Sequence, residues 1–264
     1  MDKGFFFHLT EFYSLKMPKL KFNHSSKLNP QLLMLMYGGS QSGKTHLLFN
    51  MLTTSYILDY NNLLIFTNTP EQSYYQLLLH GFKNKLDKPD IQALYKLYEE
   101  SDDLDIENIP EMCETMAEKV QSNTDIEVTL TNDRHKINDP SELSQKKKNL
   151  VIFDDCVNDK DQTLQETFFT RGRHSNCCCI YLTQSFYGVN RNTIRKNANV
   201  FILFTMTPRD VTQLLQDIDV GSKEEFKRIA SRQWEEPNNH KYLLINIFKP
   251  KKERILTSVF CNHN

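Results

Sequence analysis

The chain has 264 residues, enough for one large domain or one domain with a small annex, and its 39% hydrophobic content is far above that of a disordered chain. No run approaches the ~18 apolar residues of a membrane span, the FFFHL run at 5–9 is too short for a secretion signal, and six cysteines, three of them consecutive (Cys177, Cys178, Cys179), fit neither a disulfide framework nor a C-x-x-C zinc spacing. Net charge is −1, but residues 99–139 hold 13 acids against three bases (−10), leaving 29 bases against 20 acids (+9) elsewhere; the expectation is a soluble, reduced, intracellular protein whose basic body handles a polyanion, unless the acidic stretch is only a solvated face.

Residues 1–30 read as an irregular extension, with Pro18 and Pro30 bracketing a Lys-rich segment. LLMLMY at 32–37 is a continuous apolar run, the pattern of a strand buried on both faces, and it leads through a glycine-rich turn into a predicted helix from Lys44 to about Thr54. LLIFT at 63–67 predicts a second buried strand, followed by a helix over Glu71–His80. Residues 81–149 read as an acidic helical insertion. Helical spacing appears at 91–100 and 111–120, and EVTL at 127–130 is a short candidate strand.

Strand–helix alternation then resumes. LVIF at 150–153 precedes a helix over Gln162–Thr170, and CCCIYL at 177–182 precedes a short helix near Asn192–Asn197. VFILF at 200–204 leads to a helix behind Pro208, with a further helix over Lys223–Arg232. YLLINIF (242–248) and ILTSVF (255–260) predict a terminal strand pair within 240–264. The order predicts an α/β fold, a three-layer P-loop domain over 31–264 with a mostly parallel central sheet.

The chemistry-bearing residues follow the strands. Gly38-Gly39-Ser40-Gln41-Ser42-Gly43-Lys44-Thr45 satisfies G-x-x-x-x-G-K-[ST] between a strand and a helix, the context that motif requires. Backbone N–H groups there cradle phosphates, Lys44 reaches the β/γ-phosphates, and the Thr45 hydroxyl is a Mg²⁺ ligand. LVIFDD at 150–155 delivers two carboxylates from a buried strand. Asp154 is the candidate metal-shell residue and Asp155 the group that polarises the attacking water; the plainer alternative is a turn or helix cap. Gln184, after the next strand, is a candidate sensor of the γ-phosphate or water, or else a turn residue.

In TRGRHSN (170–176), Arg173 is the preferred arginine finger for a neighbouring subunit, with Arg195 and Arg171 as alternates. Cys177–Cys179 read as small core residues. His174 reads as structural rather than phosphate-binding, Trp234 as packing rather than base-stacking, and KPKKER (249–254) equally as a DNA-phosphate contact or a solvated turn.

The ordered set GGSQSGKT, LVIFDD, TRGRHSN, IYLTQS and NTIRKNANVFILF resembles the poxvirus-type genome-packaging ATPases of large eukaryotic DNA viruses and virus-like transposons, within the FtsK–HerA superfamily. The resemblance spans about Leu32–Leu215. It implies a ring, commonly a hexamer, that threads double-stranded DNA into a capsid through a capsid or portal vertex partner, with ATP and Mg²⁺ as cofactors and no membrane. It places Lys44 and Thr45 on Walker A, Asp154 and Asp155 on Walker B, Gln184 on the polar sensor, and the finger on Arg173. The implied location is inside the host cell, in a virus factory or the nucleus, with virion association an option. Two other readings use the same P-loop: a small-molecule kinase with the acidic segment as its lid, and a non-motor ATP-binding interaction module.

Overall fold

The computed structural model describes residues 20–101, 104–156, 161–235 and 240–260. Eight strands form one sheet: β1 (Leu33–Tyr37), β2 (Asn62–Thr67), β3 (Glu127–Thr131), β4 (Asn149–Asp154), β5 (Cys177–Thr183), β6 (Val200–Leu203), β7 (Leu243–Asn246) and β8 (Ile255–Leu256). Their spatial order is β3-β2-β4-β5-β1-β6-β7-β8, parallel from β3 to β6 and antiparallel at the β6–β7 and β7–β8 pairs.

The continuous apolar runs are explained by helices on both faces. Helices α1 (Lys44–Thr53), α2 (Ser73–Lys83), α3 (Lys88–Glu100) and α4 (Ile109–Lys119) share one core with Met34, Met36, Cys178, Ile180 and Leu182. Helices α5 (Thr163–Arg171), α6 (Pro208–Asp217) and α7 (Lys223–Trp234) share the other with Leu33, Leu35, Cys177, Cys179 and Tyr181. The period-2 alternation of a strand thus feeds two cores at once.

Residues 81–149 supply the expected helices and also β3, the outer strand of the main sheet, in parallel register with β2 from Asn62↔Glu127 to Phe66↔Thr131. Here the acidic stretch is part of the α/β layer rather than only an appendage. Residues 20–30 are irregular, as the prolines imply, yet Phe22 and Leu28 are buried in the core and the Asn23 N–H donates to Asp59 Oδ2 at 2.7 Å. Residues 1–19 of the expected extension lie outside the described residues.

The terminal strands are shorter than expected. β8 ends at Leu256 because Ser258 turns the chain, its Oγ accepting from the Phe260 N–H at 3.1 Å, while the Val259 N–H donates to the Tyr242 hydroxyl at 3.0 Å instead of to a ladder. The short helix expected near Asn192–Asn197 is a single π-turn at Arg191–Arg195, capped by Asn190 Oδ1. KPKKER forms the solvated β7–β8 turn, in which Lys251 and Arg254 pair with Asp219. Trp234 packs against Phe226 in the second core. The three consecutive cysteines are free and fully buried, and burial pushes the Cys178 thiol up to about 12, which leaves them inert as nucleophiles.

Candidate functional site

Parallel strands β1, β4 and β5 end at the same edge, which brings Gly38–Thr45, Asp154–Asp155 and Gln184 together at their carboxyl ends. At Gly38 an added Cβ would lie 2.4 Å from Ser42 Oγ and 2.8 Å from Phe204 Cβ, so no side chain fits where the loop folds back. Gly43 holds φ +93° and caps α1 with no side-chain hydrogen bond, and the first turn of α1 carries no acid. The N-terminal N–H groups of α1 and its positive dipole end are therefore left for an external anion.

Lys44 is buried, and its Nζ donates to the Gly38 and Gly39 carbonyls at 2.8 Å each, folded back onto the loop. Burial lowers its pKa, opposed by the charges of Asp154 and Asp155. Asp154 is 5% exposed, and burial raises its pKa against the stabilising Tyr75 hydroxyl and the Lys44 charge.

Tyr75, on α2, is a site residue that no motif marks. Its hydroxyl donates to Asp154 Oδ2 at 2.5 Å and accepts from the Thr45 side chain; burial first, then the Asp154 charge, hold the phenol protonated. Its only trace in the sequence is a pair of adjacent tyrosines in an apolar helix. The Thr45 hydroxyl and the Asp154 carboxylate, linked through the Tyr75 hydroxyl, are thus neighbouring hard oxygen donors of the kind Mg²⁺ takes. Among the described residues no group of three or more His, Cys, Asp or Glu could hold a metal ion unaided, so a cation here would need phosphate oxygens as further ligands.

Asp155 adopts φ +54°, a left-handed conformation unusual for a non-glycine residue, and its carbonyl accepts from Asn68 Nδ2 at 2.9 Å. Gln184 Nε2 donates to Asp155 Oδ1 at 3.3 Å, so the expected water-polarising and sensor residues are direct neighbours.

The arginines separate. Arg173 lies in the turn Gly172–Ser175 that precedes β5, at the edge of the sheet opposite Lys44; it is exposed, and its Nε donates to His174 at 3.4 Å. Arg171, the last residue of α5, is exposed at the same edge. Arg195 is instead committed within the chain. It is 7% exposed, pairs at 2.7 Å with the buried Asp217, which Arg191 also meets at 2.7 Å, and stacks 4.8 Å from the Phe186 ring centroid. That burial does not suit an alternate finger. Arg195→Ala is expected to lower stability by about 3 kcal/mol, since it strips a buried carboxylate of a partner, or roughly 6–12 °C in Tm. Arg173→Ala should melt like the parent chain. Thermal denaturation of both variants checks this, and an unshifted Arg195→Ala would overturn the structural assignment.

Solved structures with similar folds include the genome packaging NTPase B204 of Sulfolobus turreted icosahedral virus 2 in complex with ATP-gammaS (16% identity, TM-score 0.46) and B204, the DNA-packaging ATPase from Sulfolobus Turreted Icosahedral Virus (16%, TM-score 0.47); each similarity covers 87% of this chain and 97% of that one. VirB4 of Thermoanaerobacter pseudethanolicus is similar at 10% identity and TM-score 0.44, over 82% of this chain and 87% of its own. Likeness at this level transfers no residue roles. No curated protein sequence matches the chain. The family described as Poxvirus A32 protein matches residues 114–263, more than half of the chain, a span containing Asp154, Asp155, Arg173 and Gln184. The chain belongs to that family, the poxvirus-type packaging ATPases.

Proposed function

We propose that the chain is the ATP-hydrolysing subunit of a ring, a hexamer in the family's common form, that drives double-stranded DNA into a viral capsid. The observation that carries the proposal is the meeting of Lys44, Asp154, Asp155 and Gln184 at one sheet edge in a chain of this family. Gly38–Thr45 would hold the triphosphate through backbone N–H groups, and Lys44 would leave its two loop carbonyls to neutralise the phosphate oxygens. Thr45 and Asp154 would hold Mg²⁺, with Tyr75 fixing the carboxylate; the ion, when bound, offsets charge on the phosphates. Asp155 would orient water for in-line attack, steadied by Gln184.

Arg173 would act in trans on the neighbouring subunit's nucleotide, a role its exposure permits. Mixing Arg173→Ala with Lys44→Ala subunits should therefore change turnover in a way neither homogeneous ring does, and wild-type ATPase activity of Arg173→Ala alone would remove it from the mechanism. Motion of the duplex would use contacts to phosphates, which carry no sequence information. The capsid or portal vertex protein is the further partner of this reading, and the infected host cell its location, in a virus factory or the nucleus. Among the described residues no helix is long and apolar enough to cross a membrane.

The test is steady-state ATPase activity with and without linear double-stranded DNA at low salt. Strong stimulation by DNA of any sequence is expected. ATP binding with no response of turnover to DNA would overturn the motor and favour a kinase or an interaction module.

A further inference from the structure

We propose that the nucleobase is held apart from the phosphates, in an aromatic pocket formed by Phe204, Tyr242 and Phe260 beside α1. This rests on Gly38–Thr45 being the phosphate cradle and extends it to Tyr242 and Phe260, which lie outside every motif, and to Phe204, the last residue of the NTIRKNANVFILF segment. A cavity of about 670 Å³, a size suited to a nucleotide-sized ligand, begins at Gln41–Thr45 and runs along α1 past Leu47 to Asn50. Positions 43, 47 and 50 lie on one face of that helix, and the seven residue steps from Gly43 to Asn50 span about 10 Å. A nucleoside tethered by its phosphates at the helix N-terminus is thereby laid along this face.

The far wall is aromatic. The Phe204 and Tyr242 rings are 5.7 Å apart and inclined at 49°, and Phe260 joins them. Phe204 is buried as the first residue beyond β6, whereas Tyr242 and Phe260 are only half-buried, with ring surface left toward the cavity. The chain fixes this wall with polar ties. The Val259 N–H donates to the Tyr242 hydroxyl at 3.0 Å, and Lys27 Nζ donates to the Ser258 carbonyl at 3.1 Å and to the Phe260 carbonyl. Such anchoring of a stretch that has left the β-ladder pre-organises flat apolar faces for a flat ligand. A π-face accepts any base by stacking, so the pocket binds the base by its face rather than by reading its edge.

The test compares ATP with inorganic tripolyphosphate, which has the phosphates and no base, by titration calorimetry on the full chain. Tyr242→Ala and Phe260→Ala are each expected to weaken ATP binding about tenfold, or ~1.4 kcal/mol, and to leave tripolyphosphate affinity unchanged. Tyr242→Phe keeps the ring, loses the Val259 tie, and should bind ATP within about twofold of wild type; it separates stacking from anchoring of the C-terminal stretch. Unchanged ATP affinity in both alanine variants overturns the pocket, as does an equal loss for both ligands. Lys44→Ala fails differently, losing both ligands if the cradle is correct; if it loses neither, the phosphate assignment itself is wrong.

Discussion

Lys44→Ala is expected to abolish DNA-stimulated ATP turnover, lowering it by roughly 10²–10³-fold, the scale on which loss of one pre-organised charge-stabilising donor is felt. The argument begins with where the ammonium sits. It is buried between two loop carbonyls, within the fields of Asp154 and Asp155, and burial lowers its pKa. A triphosphate in the loop would supply negative charge that the carbonyls offer only as partial dipoles, so the ammonium gains by moving to it. Alanine removes that gain and leaves the cradle N–H groups in place. Gly39 is exposed and water can satisfy its carbonyl, but the buried Gly38 carbonyl loses its donor, which costs about 1–3 kcal/mol. Loss of binding with a modestly lowered but still cooperative melting transition is the expected pair of results. Retained DNA-stimulated hydrolysis would overturn the P-loop assignment.

The same site shows what a sequence can and cannot disclose. Strands β1, β4 and β5 were legible because burial on both faces demands unbroken apolar runs, and the P-loop was legible because Gly38 has no room for a side chain and Gly43 needs a positive φ. Helix α2 begins at Ser73 rather than Glu71, since Pro70 and the Thr69 turn delay it. Tyr75 could not be found, because its role depends on α2 packing beside α1 and on the register that brings Asp154 to the edge of β4. The setting of Arg195 is hidden for a related reason. An arginine in the polar RNTIRK turn looks solvent-facing until Asp217, 22 residues on, is folded against it. The strand role of EVTL was visible, but its position at the edge of the main sheet was not, because parallel pairing with β2 is a long-range choice that local pattern does not encode. Phe204, Tyr242 and Phe260 likewise converge only through the sheet order β1-β6-β7.

Asp155→Asn should bind ATP as the parent chain does and hydrolyse it at least about tenfold more slowly, with up to ~10²–10⁴-fold available if proton removal from water is fully general-base assisted. The substitution is nearly isosteric, and asparagine tolerates the left-handed φ of +54° found here better than most residues do, so backbone strain does not confuse the result. The Asn68 bond goes to the backbone carbonyl of residue 155 and survives the change. What is lost is the negative charge that faces the Gln184 amide and would accept hydrogen bonds from water. Because Asp154, Thr45 and Tyr75 are untouched, the cation-holding set keeps its geometry and ATP affinity is preserved. Single-turnover hydrolysis with pre-bound ATP isolates the chemical step. A slow single turnover at normal affinity places Asp155 on the attacking water, and an unchanged rate leaves Gln184 to position the water alone. Gln184→Ala in the Asp155→Asn background separates these further. If the two residues act as a unit through their 3.3 Å contact, the double variant loses little beyond the first.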